Sequence, residues 1–322
     1  MRKIIVSLFF CVFQLYGSAV SVQDMISQMI VVGFSGQKPG DKWIKQLSRD
    51  IQNDKIGGIY IAKENLKNFK QLKILNTYLQ KKSKKHLLVL SYPDNFSDFN
   101  RVKQDYNLDD IKKLNIDFYG KLKKSGVNML FWPNADLHLN GSYSDQEDMA
   151  VTYLTYEINS LKNAGLIPII GHFPGKVNDK SAWKYTELKP YFELIKYKKI
   201  KAIAMDFGLN KNLDKENIST FSHYTIKSIL RDKLNYQGLI VSADLKSKYI
   251  LKNYSFTQSV IKAVNAGDDI LFFSSYFAKN SNVPREVEQI LLEAIKNGRV
   301  KKERVMKSYE KIVKFRKNNG ID

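Results

Sequence analysis

Four side chains able to move protons follow short apolar runs: Asp136 after Met129 to Trp132, His172 after Ile167 to Ile170, Asp206 after Ala202 to Met205, and Asp244 after Leu239 to Ser242. Carboxylates and an imidazole can act as general acid, general base or nucleophile, and Asp206 with Asp244 is a conceivable catalytic pair. Tyr92, Trp132, Trp183 and Phe207 lie near them in sequence. Aromatic faces beside convergent polar groups suit a ligand cleft. The competing reading is structural, with His172 and Asp136 hydrogen-bonded inside the fold. His86, His138, His172 and His223 have neither ligand spacing nor a cysteine partner, so no metal site is expected. No phosphate-cradling glycine motif occurs, and no cofactor is implied.

The apolar runs that would position these groups number eight: Ile30 to Phe34, Gly58 to Ile61, Leu87 to Leu90, Met129 to Trp132, Ile167 to Ile170, Ala202 to Met205, Leu239 to Ser242 and Ile270 to Phe273. Continuous apolar strands fit a parallel sheet buried on both faces. Between them run helical periods, Asp109 to Lys124 before Ser125-Gly126 and Asp145 to Asn163 before Ala164-Gly165, each glycine a helix stop. Pro284 to Lys296 and Lys301 to Lys314 flank Asn297-Gly298 near the end. An α/β fold follows, a single (β/α)8 TIM-type barrel. An open doubly wound sheet would give a similar pattern, and the count of eight favours the barrel.

The 322 residues carry 52 Lys+Arg against 32 Asp+Glu, a formal +20, and are 43% hydrophobic. Disorder is excluded as the main state, and anionic partners are favoured. Arg2 and Lys3 precede the apolar run Ile4 to Leu15 and then Gly17-Ser18-Ala19. This pattern predicts a signal peptide over 1–19, an exported periplasmic or extracytoplasmic protein, and one barrel domain over 20–322. The run of 12 residues is short for a membrane span, and no later stretch could span a bilayer. The lone Cys11 lies in the part expected to be removed. Only eight basic residues are arginine, and that bias, with the export signal, disfavours nucleic acid. An envelope polymer or an envelope protein is the expected partner, with the run Lys81-Lys82-Ser83-Lys84-Lys85 as one candidate docking patch.

Seven segments in order are similar to the one-domain enzymes of glycoside hydrolase family 3, the β-N-acetylhexosaminidases that trim peptidoglycan fragments. They are Met25 to Phe34, Ile56 to Ile59, Gly126 to Asn128 continuing through Trp132-Pro133-Asn134-Ala135-Asp136-Leu137, His172-Phe173-Pro174-Gly175, Leu234 to Ser242, Ala263 to Asp269 and Asn297 to Val300. The resemblance covers nearly all of residues 21–318 and implies a barrel whose sugar site lies at the carboxyl ends of the strands. His172, Asp136 and Trp132 are the substrate-binding residues it leaves in place, with a sugar as the implied ligand.

Retaining hydrolysis needs a carboxylate to attack the anomeric carbon and a proton donor across the bond. The family nucleophile is the first Asp of S-D-D-L, and here the motif reads Ser242-Ala243-Asp244-Leu245. A methyl group cannot attack. Asp244 stands one position later, where strand alternation turns it out of the pocket, and it is expected to cap free N–H groups of the next helix. The family's acid/base His and its orienting Asp fall, counted without gaps, on Lys184 and Ala182, and an ammonium is a poor acid at neutral pH. The Lys before H-F-P-G is Gly171, and Tyr92 to Phe96 replace D-x-E-G-G-R. These losses together predict a non-catalytic binding or scaffolding module of the cell envelope. The alternative is a β-N-acetylhexosaminidase acting by the retaining mechanism, with Asp244 and Asp206 as weak catalytic candidates.

Overall fold

All eight apolar runs are strands in the computed structural model, which describes residues 20–96, 108–137, 146–175, 183–275 and 282–321, in 108–115 the backbone alone. They are β1 (Ile30–Gly33), β2 (Gly58–Ile61), β3 (Leu88–Ser91), β4 (Met129–Asn134), β5 (Ile167–Phe173), β6 (Ala202–Met205), β7 (Leu239–Val241) and β8 (Leu271–Phe273). They pair in parallel in the order β7-β6-β5-β4-β3-β2-β1-β8. The ring closes between β7 and β8 through the bridge Val241–Ile270, with Ser242 N donating to Ile270 O at 2.9 Å. Closure removes both sheet edges and excludes the open doubly wound alternative. Ile30, Val31 and Val32 are fully buried, as strands covered on both faces require.

Helices α1 (Val22–Met29), α2 (Lys42–Gln52), α3 (Phe69–Gln80), α4 (Leu108–Lys124), α5 (Glu147–Asn163), α6 (Lys189–Lys196), α7 (Lys248–Leu251), α8 (Phe256–Ala266), α9 (Val283–Lys296) and α10 (Lys302–Asn318) accompany the strands, and Tyr224–Lys233 is wound as a π-helix. Local chemistry sets their ends. Ser21 and Asn68 cap α1 and α3, and Ser255 with Gln258 forms a capping box on α8. Gly126 and Gly165 stop α4 and α5 at φ 94° and 77°, where a side chain would strain the backbone.

Helix α10 runs four residues past its expected end at Lys314, because Phe315 and Arg316 are buried and continue its inner face. Their lysine-rich neighbours hide that face in the sequence. Arg304 donates to Val264 O and Asp268 O beside β8, and Arg316 donates to Gly57 O and His86 O, 2.7 Å each, before β2 and β3. The helix therefore crosses the amino-terminal end of the barrel, packed on α1. Beneath it the fully buried Asp269 accepts from Arg231 at 2.7 Å, Arg304 at 3.2 Å and Ser308 at 3.0 Å. The predicted signal peptide, His138 and Ala182 lie outside the described residues. Among the described residues, no helix is long and apolar enough to cross a membrane.

Candidate active site at the carboxyl ends of the strands

The polar side of the barrel mouth is built where β4, β5 and β6 end. The peptides Gly171–His172 and Phe173–Pro174 are cis, and Phe173 O accepts from Asp206 N at 2.9 Å. Past the end of β4, Ala135 N donates to Gly171 O at 2.6 Å, which brings Asp136 under the next strand. The Asp136 carboxylate contacts His172 Nδ1 at 2.8 Å and accepts from His172 N at 3.3 Å. Asp136 is 5% exposed and the imidazole 22% exposed, so a buried carboxylate orients a partly exposed ring. These two predicted residues are thus brought together. Asp206, also buried, accepts from Gly208 N at 2.8 Å. Tyr191 of α6 lies fully buried below this group, its phenol raised well above the ordinary tyrosine range by burial and by Asp136, Asp206 and Glu187.

Ala243, the residue that the resemblance aligns with the family nucleophile, is buried, and its backbone N donates to Thr220 Oγ1 at 3.2 Å. Asp244, half-buried, does not replace the missing carboxylate freely. Its Oδ1 accepts from Lys246 N and Ser274 N, 3.1 Å each, and its Oδ2 accepts from Ser274 Oγ at 2.5 Å. It ties the turn after β7 to the end of β8, and Ser247, not Asp244, caps α7. Lys184 is exposed and precedes a 3-10 turn over Tyr185–Leu188.

The other side of the mouth is aromatic. Tyr92 stacks on Phe131 with centroids 4.6 Å apart, Tyr60 meets Phe272 edge-on at 5.1 Å, and Phe131 lies 5.2 Å from Phe272. Rings carried by β2, β4 and β8 and by the residue after β3 therefore pack on one another. Asn95, in the segment replacing the family's sugar-holding motif, donates to the Tyr60 hydroxyl at 3.0 Å. Burial pushes the Tyr60 and Tyr92 phenols up, and the charge of Asp244 adds to both shifts. Trp132 does not join the mouth. The register shift between Phe131 and Trp132 accompanies an indole that donates to Glu157 of α5 at 3.0 Å, in the layer between strands and helices. Trp183 is buried with its indole on Pro174 O at 3.1 Å, and Phe207 packs against Tyr249 at 5.0 Å. Among the described residues, no three His, Cys, Asp or Glu side chains are placed to hold a metal ion.

No sequence signal marks Ser274 beside Asp244 or Tyr191 beneath Asp136, since both pairs are distant in the chain. Tyr60, Phe131 and Phe272 were visible only as apolar strand residues, and their meeting depends on which face of each strand turns inward.

A closed parallel barrel with its polar groups at the carboxyl ends of the strands defines the class, a TIM-type (β/α)8 barrel. The sequence model described as the glycosyl hydrolase family 3 N terminal domain matches residues 21–315, and the chain belongs to that family. A β-hexosaminidase of Haemophilus influenzae is 32% identical over 144 residues, covering 40% of this chain and 41% of that protein. β-Hexosaminidase A of Pseudoalteromonas piscicida is 22% identical over 327 residues, covering 84% and 55%. The chain thus spans about half the length, or less, of these relatives. The solved family 3 β-N-acetylglucosaminidase of a Paenibacillus species superposes with a TM-score of 0.79 at 22% identity, covering 94% of this chain and 64% of that one, which shows the shared fold.

Proposed function

We propose that this protein is a glycosidase-derived barrel without retaining hydrolase activity, exported and serving as a binding or scaffolding module for a polymer or protein of the cell envelope. One observation carries the reading: a methyl group stands at position 243, and both oxygens of the neighbouring Asp244 are already held by Ser274 and the Lys246 amide. An attacking carboxylate needs a free oxygen aimed at the anomeric carbon. The imidazole held by Asp136 remains as a polar group for a sugar ligand.

The alternative, hydrolysis of N-acetylglucosaminides by the retaining mechanism, is favoured by that intact His172–Asp136 pair and by relatives named β-hexosaminidase. An assay on a chromogenic aryl N-acetylglucosaminide, run beside Ala243→Asp, separates the two. The unmodified protein is expected to be inactive. The variant is expected to gain turnover on aryl leaving groups, which depart without a proton, and little on alkyl ones, because proper acid catalysis is worth about 10²–10⁴-fold. Clear turnover by the unmodified protein that disappears in Asp244→Ala rejects the non-catalytic reading. Sedimentation with peptidoglycan at two salt concentrations tests the binding role.

A further inference from the structure

Part of the lysine surplus clusters at one end of the fold. In a parallel barrel every helix-to-strand connection lies at the amino-terminal ends of the strands, opposite the mouth. Two of these connections are rich in lysine: Lys81 to Lys85 between α3 and β3, and Lys196 to Lys201 between α6 and β6. A groove of about 680 Å³ opens between the second connection, the start of β7 and α10. Lys196, Lys198, Lys201, Lys311 and Lys314 line it, and no lining residue is acidic. Burial lowers the Lys311 amine to about 8; Asp269 opposes that shift, while Arg231 and Arg304 add to it. Asp269, 3.6 Å from this amine, is already engaged by both arginines, so the cations of the groove are under-neutralised.

The same groove has an apolar wall formed by Ile200, Leu234, Leu239 and Phe315. Beside it Phe192 and Tyr197 are 45% and 62% exposed, and both flank the Lys196 amine, 5.9 and 5.2 Å from their ring centroids. Aromatic rings among lysines are the side-chain set that settles at a membrane interface, with rings at headgroup depth and ammonium groups on anionic lipid. A soluble acidic polymer would use the charge and leave both rings in water.

We propose that the amino-terminal end of the barrel docks on an anionic lipid surface, with the lysine groove taking headgroups and Phe192 and Tyr197 entering the interface. The mouth then faces away from the membrane, open to its own ligand.

Flotation with phosphatidylcholine vesicles containing about a third phosphatidylglycerol tests this against pure phosphatidylcholine, all proteins carrying the same N-terminus. The unmodified protein is expected to float only with the anionic vesicles at low salt. Each lysine near the surface is worth roughly fivefold in binding, so Lys196→Glu with Lys314→Glu should weaken it at least 20-fold, whereas Lys211→Glu with Lys215→Glu, after β6 at the opposite end, should leave it nearly unchanged. Phe192→Ser with Tyr197→Ser, kept at full charge, should lose several-fold, and circular dichroism checks that each variant is folded. Equal flotation with neutral vesicles, equal loss in the Lys211/Lys215 variant, or binding indifferent to the Phe192/Tyr197 change overturns the proposal, the last result pointing to a soluble acidic partner.

Discussion

Asp244→Ala distinguishes a structural carboxylate from a catalytic one by its effect on stability. The side chain accepts three hydrogen bonds, from Lys246 N and Ser274 N at 3.1 Å and from Ser274 Oγ at 2.5 Å. Each is worth roughly 1 kcal/mol net. Because the site is half open to water, which can replace part of what is lost, the total expected cost is about 2 kcal/mol. For a chain of this size that lowers the melting temperature by about 3 °C. Ser274→Ala removes only one partner and should cost about 1 kcal/mol, and the double variant should cost less than the sum of the two by about that amount, since both changes delete the same bond. Thermal melting followed by circular dichroism, with urea titration at 25 °C, measures all three. A group held ready for attack tends to be a liability to the fold. If Asp244→Ala leaves the melting temperature unchanged or raises it, the structural role is refuted, and Asp244 regains its standing as a nucleophile.

Two further expectations concern the other end of the barrel. Asp269→Ala strips a fully buried carboxylate from two arginines whose side chains are 11% and 20% exposed, and breaking a buried ion pair costs about 3 kcal/mol or more; a urea midpoint within error of the unmodified protein's would show that the network is not holding β7, β8 and α10 together. Lys311 is protonated less readily in the folded state than in the unfolded one, so its burial opposes folding at pH 7, and this opposition fades as pH rises from about 8 towards the ordinary lysine value. Lys311→Met is accordingly expected to raise the melting temperature at pH 7 and to lose that advantage by about pH 10, and an advantage independent of pH would exclude the linkage.

How far the sequence could be read depends on which physical signal each feature leaves. The strands declared themselves because both faces are buried, which leaves runs such as Ile30-Val31-Val32 with no polar alternate. The helix stops at Gly126 and Gly165 did so because only glycine adopts that backbone at low cost. Asp136, just past β4, and His172, near the end of the adjacent β5, were legible as mouth residues, and the structure pairs them. Where the reading failed, orientation was the missing quantity. The irregular register between Phe131 and Trp132 leaves the indole on Glu157, not in the mouth, and no periodicity records a bulge. The contact of Asp244 with Ser274 joins two residues separated by 30 positions, and it exists only because the ring closes between β7 and β8.

The division of labour between the two ends is what lets the fold tolerate the loss of catalytic groups that the proposed function entails. The networks that hold the barrel shut, Asp269 with its arginines and Arg316 on the carbonyls before β2 and β3, lie under α10 at the amino-terminal end, away from the mouth. Charged sugar clamps at the mouth impose desolvation costs that a bound substrate offsets, so replacing them relieves the empty barrel. Here the space is taken by rings: Tyr92 on Phe131, Tyr60 on Phe272, each pair adding about 0.5–1.5 kcal/mol beyond burial. At Gly171 a Cβ would meet Ala204 Cβ at an ordinary 3.6 Å, so the first atom of a side chain is tolerated there. The non-catalytic reading proposed above accounts for a glycine at this position, because a mouth that binds no transition state needs no clamp.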